Sequence, residues 1–244
     1  GKTTIINLNG YTVTIQNDGT GEPVVLENGN TLIFAGEGAI EGNGALVNND
    51  NANVVVTGGA TVAEGTTTEA VLTGLEALVY ICKNGGEFNF TEDLEAKDVI
   101  FIETTKPIVI NGNNKTITSS ASRVFRIIAK ANVTINNLNI VSTTAKGSYD
   151  SVRGISMDGD IDDIVLTLNN CSVDFTPDSA FDWSYAVNVV GGSKHKVTIN
   201  GGTYEGANVV NIWGNENIIT INGATLNNLY RANESYCGCC IRLE

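Results

Sequence analysis

Residues Val133–Ile140 read VTINNLNI, and the phrase returns as LTLNNCSV at Leu166–Val173, VTINGGTY at Val197–Tyr204 and ITINGATL at Ile219–Leu226. Each copy is a short alternating strand, then Asn followed by Asn or Gly, then a second alternating strand. Successive side chains of a strand point to opposite faces, so Val133 and Ile135 share one face and Thr134 takes the other. One such unit recurring at intervals of roughly 20 to 33 residues is the mark of a solenoid, in which each repeat buries its apolar face only against its neighbours.

Working outward from this phrase divides the chain into about nine coils of three strands, A, B and C. The inward pairs of strand B are Ile6 and Leu8, Leu32 and Phe34, Val54 and Val56, Val79 and Ile81, Ile108 and Ile110, then Val133 and Ile135 and their three later copies. Strand C follows, as with Phe88 and Phe90 or Leu138 and Ile140, and strand A precedes, as with Val71, Phe125 and Ile127, Ile155 and Met157, or Val187 and Val189. Helical spacing never persists, so helix is expected to be nearly absent. The fold predicted is all-β, a single-stranded right-handed parallel β-helix, with one domain over residues 1–230 and a C-terminal tail or cap over 231–244. The Asn after strand B (Asn136, Asn169, Asn200, Asn222) is expected to form an amide ladder at a corner, with Gly201 and Gly223 supplying φ > 0.

Composition agrees with a well-cored body whose corners use Gly, Asn and Asp: hydrophobic residues make up 42%, with 27 glycines against three prolines. Fourteen Lys and Arg against 27 Asp and Glu leave a net charge of -13. That charge repels phosphate backbones and anionic membranes, so no nucleic acid is expected as partner. No stretch approaches the roughly 20 apolar residues of a membrane helix, and membrane insertion is not expected. The chain opens on Gly1 and Lys2, the start expected of a processed chain, so a missing leader is uninformative about export. Cys82 and Cys171 stand alone, while Cys237, Cys239 and Cys240 crowd the tail, where they are expected to pack or pair locally.

PIVINGNNKTITSS at Pro107–Ser120 and NVTINNLNIVS at Asn132–Ser142 resemble the right-handed parallel β-helix superfamily typified by pectate lyases. The resemblance spans almost the whole chain and rests on the repeat pattern. It implies an extracellular or cell-surface protein, in a superfamily that runs from polysaccharide lyases and glycosidases to bacterial adhesins and phage tailspikes. It also implies that a site belongs on the outer face of one sheet, beside longer loops.

The two longest excursions, Ser142–Ser151 and Thr176–Ser184, leave the same corner of successive coils and are expected to wall a groove. Facing it would be the outward strand-A residues Arg126, Ser156, Asp158, Asn188, Asn211 and Trp213, with Tyr149, Phe181, Asp182, Trp183 and Tyr185 from the loops. Aromatic faces stack on sugar rings while Asn and Asp bind hydroxyls, the composition a glycan site needs. The alternative is that Phe181 and Trp183 only pin their own loop.

Catalytic sets are largely missing. Inverting hydrolysis needs two carboxyls about 6.5–9.5 Å apart, one with a raised pKa. Asp158, Asp160, Asp162, Asp163, Asp178 and Asp182 supply carboxyls, but the Gly-His-Gly and Arg-Ile-Lys motifs of glycosidases with this fold are absent. His195 lies in SKHK, and Arg126 begins RIIAK. For a lyase, Arg153 is the nearest base, and Asp158, Asp160, Asp162 and Asp163 in MDGDIDDI are weak candidate calcium ligands, calcium being the one cofactor in view. The Thr column Thr134, Thr167, Thr198 and Thr220 is explained by strand preference.

The expected function is therefore a secreted or surface-attached β-helix that binds a polysaccharide, a surface glycan or a host surface without catalysis, in the manner of an adhesin, as a monomer or part of a longer surface chain. The competing readings are a polysaccharide lyase or glycoside hydrolase acting on the strand-A sheet, and a structural spacer.

Overall fold

The structure is a computed structural model and describes residues 1–16, 24–27, 29–42, 46–48, 52–63, 71–145, 148–176, 183–229 and 238–243. Asp178, Phe181, Asp182, Cys237 and most of the 231–244 segment lie outside these. The chain is a right-handed parallel β-helix with three strands per coil. It divides into two compact units, Gly1–Leu78 with Phe88–Thr91, and Val79–Glu87 with Glu92–Glu244.

From Gly86 onward the alternation becomes three parallel sheets of six strands each. Sheet B runs through Gly86–Asn89, Ile108–Asn111, Asn132–Asn136, Val165–Asn169, Lys196–Asn200 and Ile218–Asn222. Its register stacks Ile108, Val133, Leu166, Val197 and Ile219, and two residues on, Ile110, Ile135, Leu168, Ile199 and Ile221. Before the last coil each of these is at most 1% exposed. Each such burial contributes roughly 1.5–3 kcal/mol, so the columns are the main source of the fold's stability. Between them Thr134, Thr167, Thr198 and Thr220 form an outward column.

The strand-B corner is the expected amide ladder. Asn222 Nδ2 donates to Asn200 Oδ1, Asn200 to Asn169 at 2.7 Å, Asn169 to Asn136, Asn136 to Asn111, and Asn111 to the Glu87 carboxylate at 2.8 Å. Every amide dipole points the same way, and the ladder ends on an anion that accepts from it. The next residue turns left-handed in each coil, with φ 48° at Asn137, 49° at Asn170, 66° at Gly201 and 65° at Gly223. Asn and Gly enter that region at the least cost.

The first unit repeats the plan in shorter sheets. Thr3–Asn7, Thr31–Ala35, Asn53–Val56 and Val71–Leu72 pair in one sheet, Thr12–Ile15, Gly38–Gly42 and Ala60–Val62 in a second, Val24–Leu26 and Leu46–Asn48 in a third. Leu8, Leu32, Phe34, Ile40, Val54, Val56 and Ala60 form its core.

Among the described residues helix is nearly absent, as expected, but three strand assignments need correction in the segment from Val71. Residues Gly74–Asn84 form an α-helix. Val79 and Ile81 match a strand period, but the buried residues Ala77, Leu78, Ile81 and Cys82 follow helical spacing. Glu76 in the first turn and Lys83 in the last suit the helix dipole. Gly85, at φ 83°, ends the helix, its N–H donating to the Ile81 carbonyl at 2.8 Å. Consequently Phe88 belongs to sheet B rather than strand C, and Val71 pairs with Val54 of a B strand rather than forming strand A. Strand C of that coil is Leu94–Ala96, paired to Ile117. No helix among the described residues is long and apolar enough to cross a membrane.

Tyr204 is fully buried on the inner face of sheet C, and its hydroxyl has no partner. Burial pushes its pKa well above the usual phenol range. A buried hydroxyl without a partner costs about 1–3 kcal/mol. Tyr204→Phe is therefore expected to leave stability unchanged or raise it by up to about 1 kcal/mol in urea denaturation.

Candidate functional site

Sheet A of the second unit comprises Ile100–Ile102, Arg123–Ile127, Val152–Met157, Ser184–Val189, Asn208–Ile212 and Cys239–Leu243. Phe125, Ile155, Val187 and Val210 stack inward, all fully buried. One residue further, Phe101, Arg126, Ser156, Asn188, Asn211 and Arg242 share a register column. A second column holds Arg123, Arg153, Tyr185, Asn208 and Cys239.

Simple alternation does not give both columns. Val124, Gly154, Ala186 and Val209, between them and the inward column, are buried and lie outside the ladder register. Two successive side chains turn inward at this bend, and the outward parity resets. Gly154 is fixed by the crowding, since a Cβ there would strike the Val173 side chain. The sequence signal is the apolar doublet at equivalent places: Val124-Phe125, Gly154-Ile155, Ala186-Val187, Val209-Val210. Without it Arg123 is not recognised as a neighbour of Arg126, and Arg242 is not singled out either.

The bend places two guanidiniums on one carboxylate. Arg123 Nε donates to Asp158 Oδ2 at 2.6 Å, and Arg126 Nε donates to Oδ1 at 2.5 Å. Burial alone would raise the pKa of Asp158, but the hydrogen bond from Arg126 and the charge and hydrogen bond of Arg123 outweigh it and hold the carboxyl below its usual range. Arg153, opposite Arg123 in register, has its pKa drawn down to about 10 by burial and then by repulsion from Arg123.

Aromatic rings accompany these cations. The guanidinium carbon of Arg126 is 5.7 Å from the Phe101 ring centroid, that of Arg153 is 5.5 Å from Tyr185, and that of Arg242 is 5.8 Å from Trp183. Trp183 and Tyr185 are 6.4 Å apart with their planes tilted by 31°. Each cation over a ring face contributes roughly 0.5–1 kcal/mol where exposed and more where desolvated. Four arginines thus gather on one sheet of a chain whose net charge is -13.

Of the sequence-predicted residues, Arg126, Ser156, Asp158, Trp183, Tyr185, Asn188 and Asn211 are brought together here. Trp213, 41% exposed, follows Ile212 as Asp158 follows Met157, in strands that share a register. Tyr149 is 45% exposed in the first long loop. The loop ends are adjacent as expected, with Val152 in register with Ser184 and its N–H donating to the Trp183 carbonyl at 3.0 Å. One feature differs from an open groove: Ser156, Asn188 and Asn211 are at most 2% exposed. Arg242 lies opposite Asn211 and reaches Trp183 at the head of the Ser184 strand, so this pair spans the strand that carries Asn211.

The Asp run does not converge. Asp158 serves the arginines, Asp162 Oδ1 accepts the Ser193 N–H at 2.7 Å, Asp163 pairs with Lys130 at 2.9 Å, and Asp160 is exposed. Among the described residues no three His, Cys, Asp or Glu are grouped to hold a metal ion. His195 is fully buried; its Nδ1 faces the Ile164 N–H at 3.2 Å and its Nε2 the Gly191 carbonyl at 3.0 Å. That pairing fixes the tautomer with the proton on Nε2 and gives the ring a structural task. Among the described cysteines none is in a disulfide; Cys239 lies against Asn208 and Cys240 is exposed. In comparisons with known proteins, no family model, no curated protein and no solved structure matches this chain.

Proposed function

We propose that this protein is a non-catalytic, extracellular or cell-surface β-helix, similar in plan to the pectate-lyase superfamily, that binds an acid-bearing glycan across sheet A. The observation that carries this reading is the array of Arg123, Arg126 and Arg153 interleaved with Phe101 and Tyr185, with the Trp183 ring beside them. Guanidiniums pair with carboxylate or sulfate in forked geometry, and ring faces take up the apolar side of a sugar. Among the described residues Asp158 is the one carboxylate bonded to these arginines, which argues against hydrolysis. A general acid needs a raised pKa, and that of Asp158 is lowered. A glycan array carrying neutral, uronic-acid and sulfated oligosaccharides tests the reading, with retention expected on acidic glycans and weakened by salt.

The second reading is a polysaccharide lyase, favoured by Arg153, whose pKa of about 10 makes it a better base than an ordinary arginine. Its mark would be unsaturated product that accumulates faster as pH rises toward 10 and disappears in Arg153→Met. Acidic glycans that bind and stay intact exclude it.

A further inference from the structure

The corner ladder of sheet B leaves no amide unused between Asn222 and Glu87 along five successive hydrogen bonds. Sheet A carries a two-membered fragment of the same device. Asn211 Nδ2 donates to Asn188 Oδ1 at 2.8 Å, but the column continues as Ser156 on one side and Arg242 on the other. Asn188 Nδ2 and Asn211 Oδ1 have no partner, although the two residues are 1% and 2% exposed, and Ser156 Oγ, next to Asn188 in register, has none either. Buried polar groups are nearly always paired, so such atoms gathered at one place mark a site completed by something else.

The unused groups say what completes it. Exchanging the oxygen and nitrogen of both amides changes which residue donates but still leaves one N–H and one C=O over. A carboxylate or sulfate satisfies only the N–H; a hydroxyl donates and accepts at once. The acid-reading arginines and the amide pair therefore call for different parts of one ligand. Next to the amides, Arg242 lies opposite Asn211 in register and its guanidinium extends to the face of Trp183, beside Tyr185. A sugar ring has the same use for that indole face as the guanidinium does.

We propose that Asn188 and Asn211 form a hydroxyl-binding subsite for a pyranose unit of the glycan, and that the Arg242–Trp183 stack is its lid, displaced when the sugar ring takes the indole face. This rests on glycan binding at sheet A. It adds the group recognised, the residues that read it and the way in.

The chain has two tryptophans, so Trp213→Phe leaves Trp183 as the only indole and turns the lid into a fluorescent reporter. Uronic-acid, sulfated and neutral hexasaccharides are titrated in that background, with calorimetry in parallel. Trp183 emission is expected to change and to saturate with the calorimetric isotherm of whichever oligosaccharide binds. Asn188→Leu with Asn211→Leu removes both amides together, which keeps the fold, and is expected to weaken binding at least about tenfold. Arg242→Ala removes the competitor for the indole face and is expected to tighten binding a few-fold. Binding with unchanged Trp183 emission, or undiminished in the double Leu variant, overturns the subsite while leaving glycan binding intact; looser binding in Arg242→Ala overturns the lid. If no hexasaccharide binds the parent protein, glycan binding and subsite fall together.

Discussion

Asp158→Asn is expected to cost about 2–3 kcal/mol of folding stability at pH 7, the upper part of the range for a single surface-proximal charge. The side chain is only 9% exposed and is bonded to Arg123 and Arg126, themselves 20% and 33% exposed. Removing one partner of a mostly buried pair leaves uncompensated charge; here it leaves three, because Arg153 is held against Arg123 in the adjacent strand. The pH dependence has a definite sign. The folded pKa of Asp158 lies below the unfolded value of about 3.9, so its contribution is complete above that value and is lost as pH falls through the folded pKa. The gap between wild type and Asp158→Asn in urea denaturation is therefore expected to be full at pH 7 and to shrink progressively below about pH 4. A constant gap down to acid pH would show that the amide fails through packing rather than charge.

The other large effect is expected at the corner. Gly202 has φ 84°, and a Cβ there would lie inside the van der Waals shell of the Cys171 carbonyl oxygen. That oxygen accepts from the Thr203 N–H at 3.2 Å, and the Gly202 carbonyl accepts from Thr225 at 2.9 Å, so neither backbone can retreat without losing a rung between coils. Gly202→Ala is expected to destabilise by at least about 3 kcal/mol, from positive-φ strain together with overpacking. Gly223 supplies the control. Its φ is 65° and a Cβ there meets nothing within 4 Å. Asn137 and Asn170 occupy the equivalent corner at φ 48° and 49°, so Gly223→Asn is expected to change stability by less than about 1 kcal/mol. Thermal denaturation of the two variants separates these cases.

The sheets were legible because one period serves every coil. Val133, Leu166 and Val197 are buried for the same reason, and the Asn after each strand meets the same corner. Helix Gly74–Asn84 was hidden because Val79 and Ile81 satisfy a strand period while Ala77, Leu78, Ile81 and Cys82 satisfy a helical one, and a run this short does not choose between them. Its end signals, Lys83 in the last turn and Gly85 just beyond, were the better guide. At the site, parity counted one residue on from Phe125, Ile155, Val187 and Val210 reached Arg126, Ser156, Asn188 and Asn211. Parity carried further along the same strands does not reach Arg123 or Arg153, because the bend at Val124 and Gly154 resets it. Nor does parity say how deeply an outward residue is covered. Asn188 and Asn211 are outward by parity and yet buried, and beside them Trp183 and Arg242, far apart in sequence, meet only after the coils have stacked.

Isothermal titration of wild type, Arg153→Met and Thr167→Ala with a uronic-acid hexasaccharide tests most directly whether the glycan is held on sheet A. Thr167 sits in the outward column of sheet B, so it reports on a different face of the same unit. Wild type and Thr167→Ala are expected to bind alike, with Arg153→Met weaker by at least about tenfold, the loss of one charge-assisted pair. Binding undiminished in Arg153→Met, or lost in Thr167→Ala, would contradict the assignment of the site to sheet A.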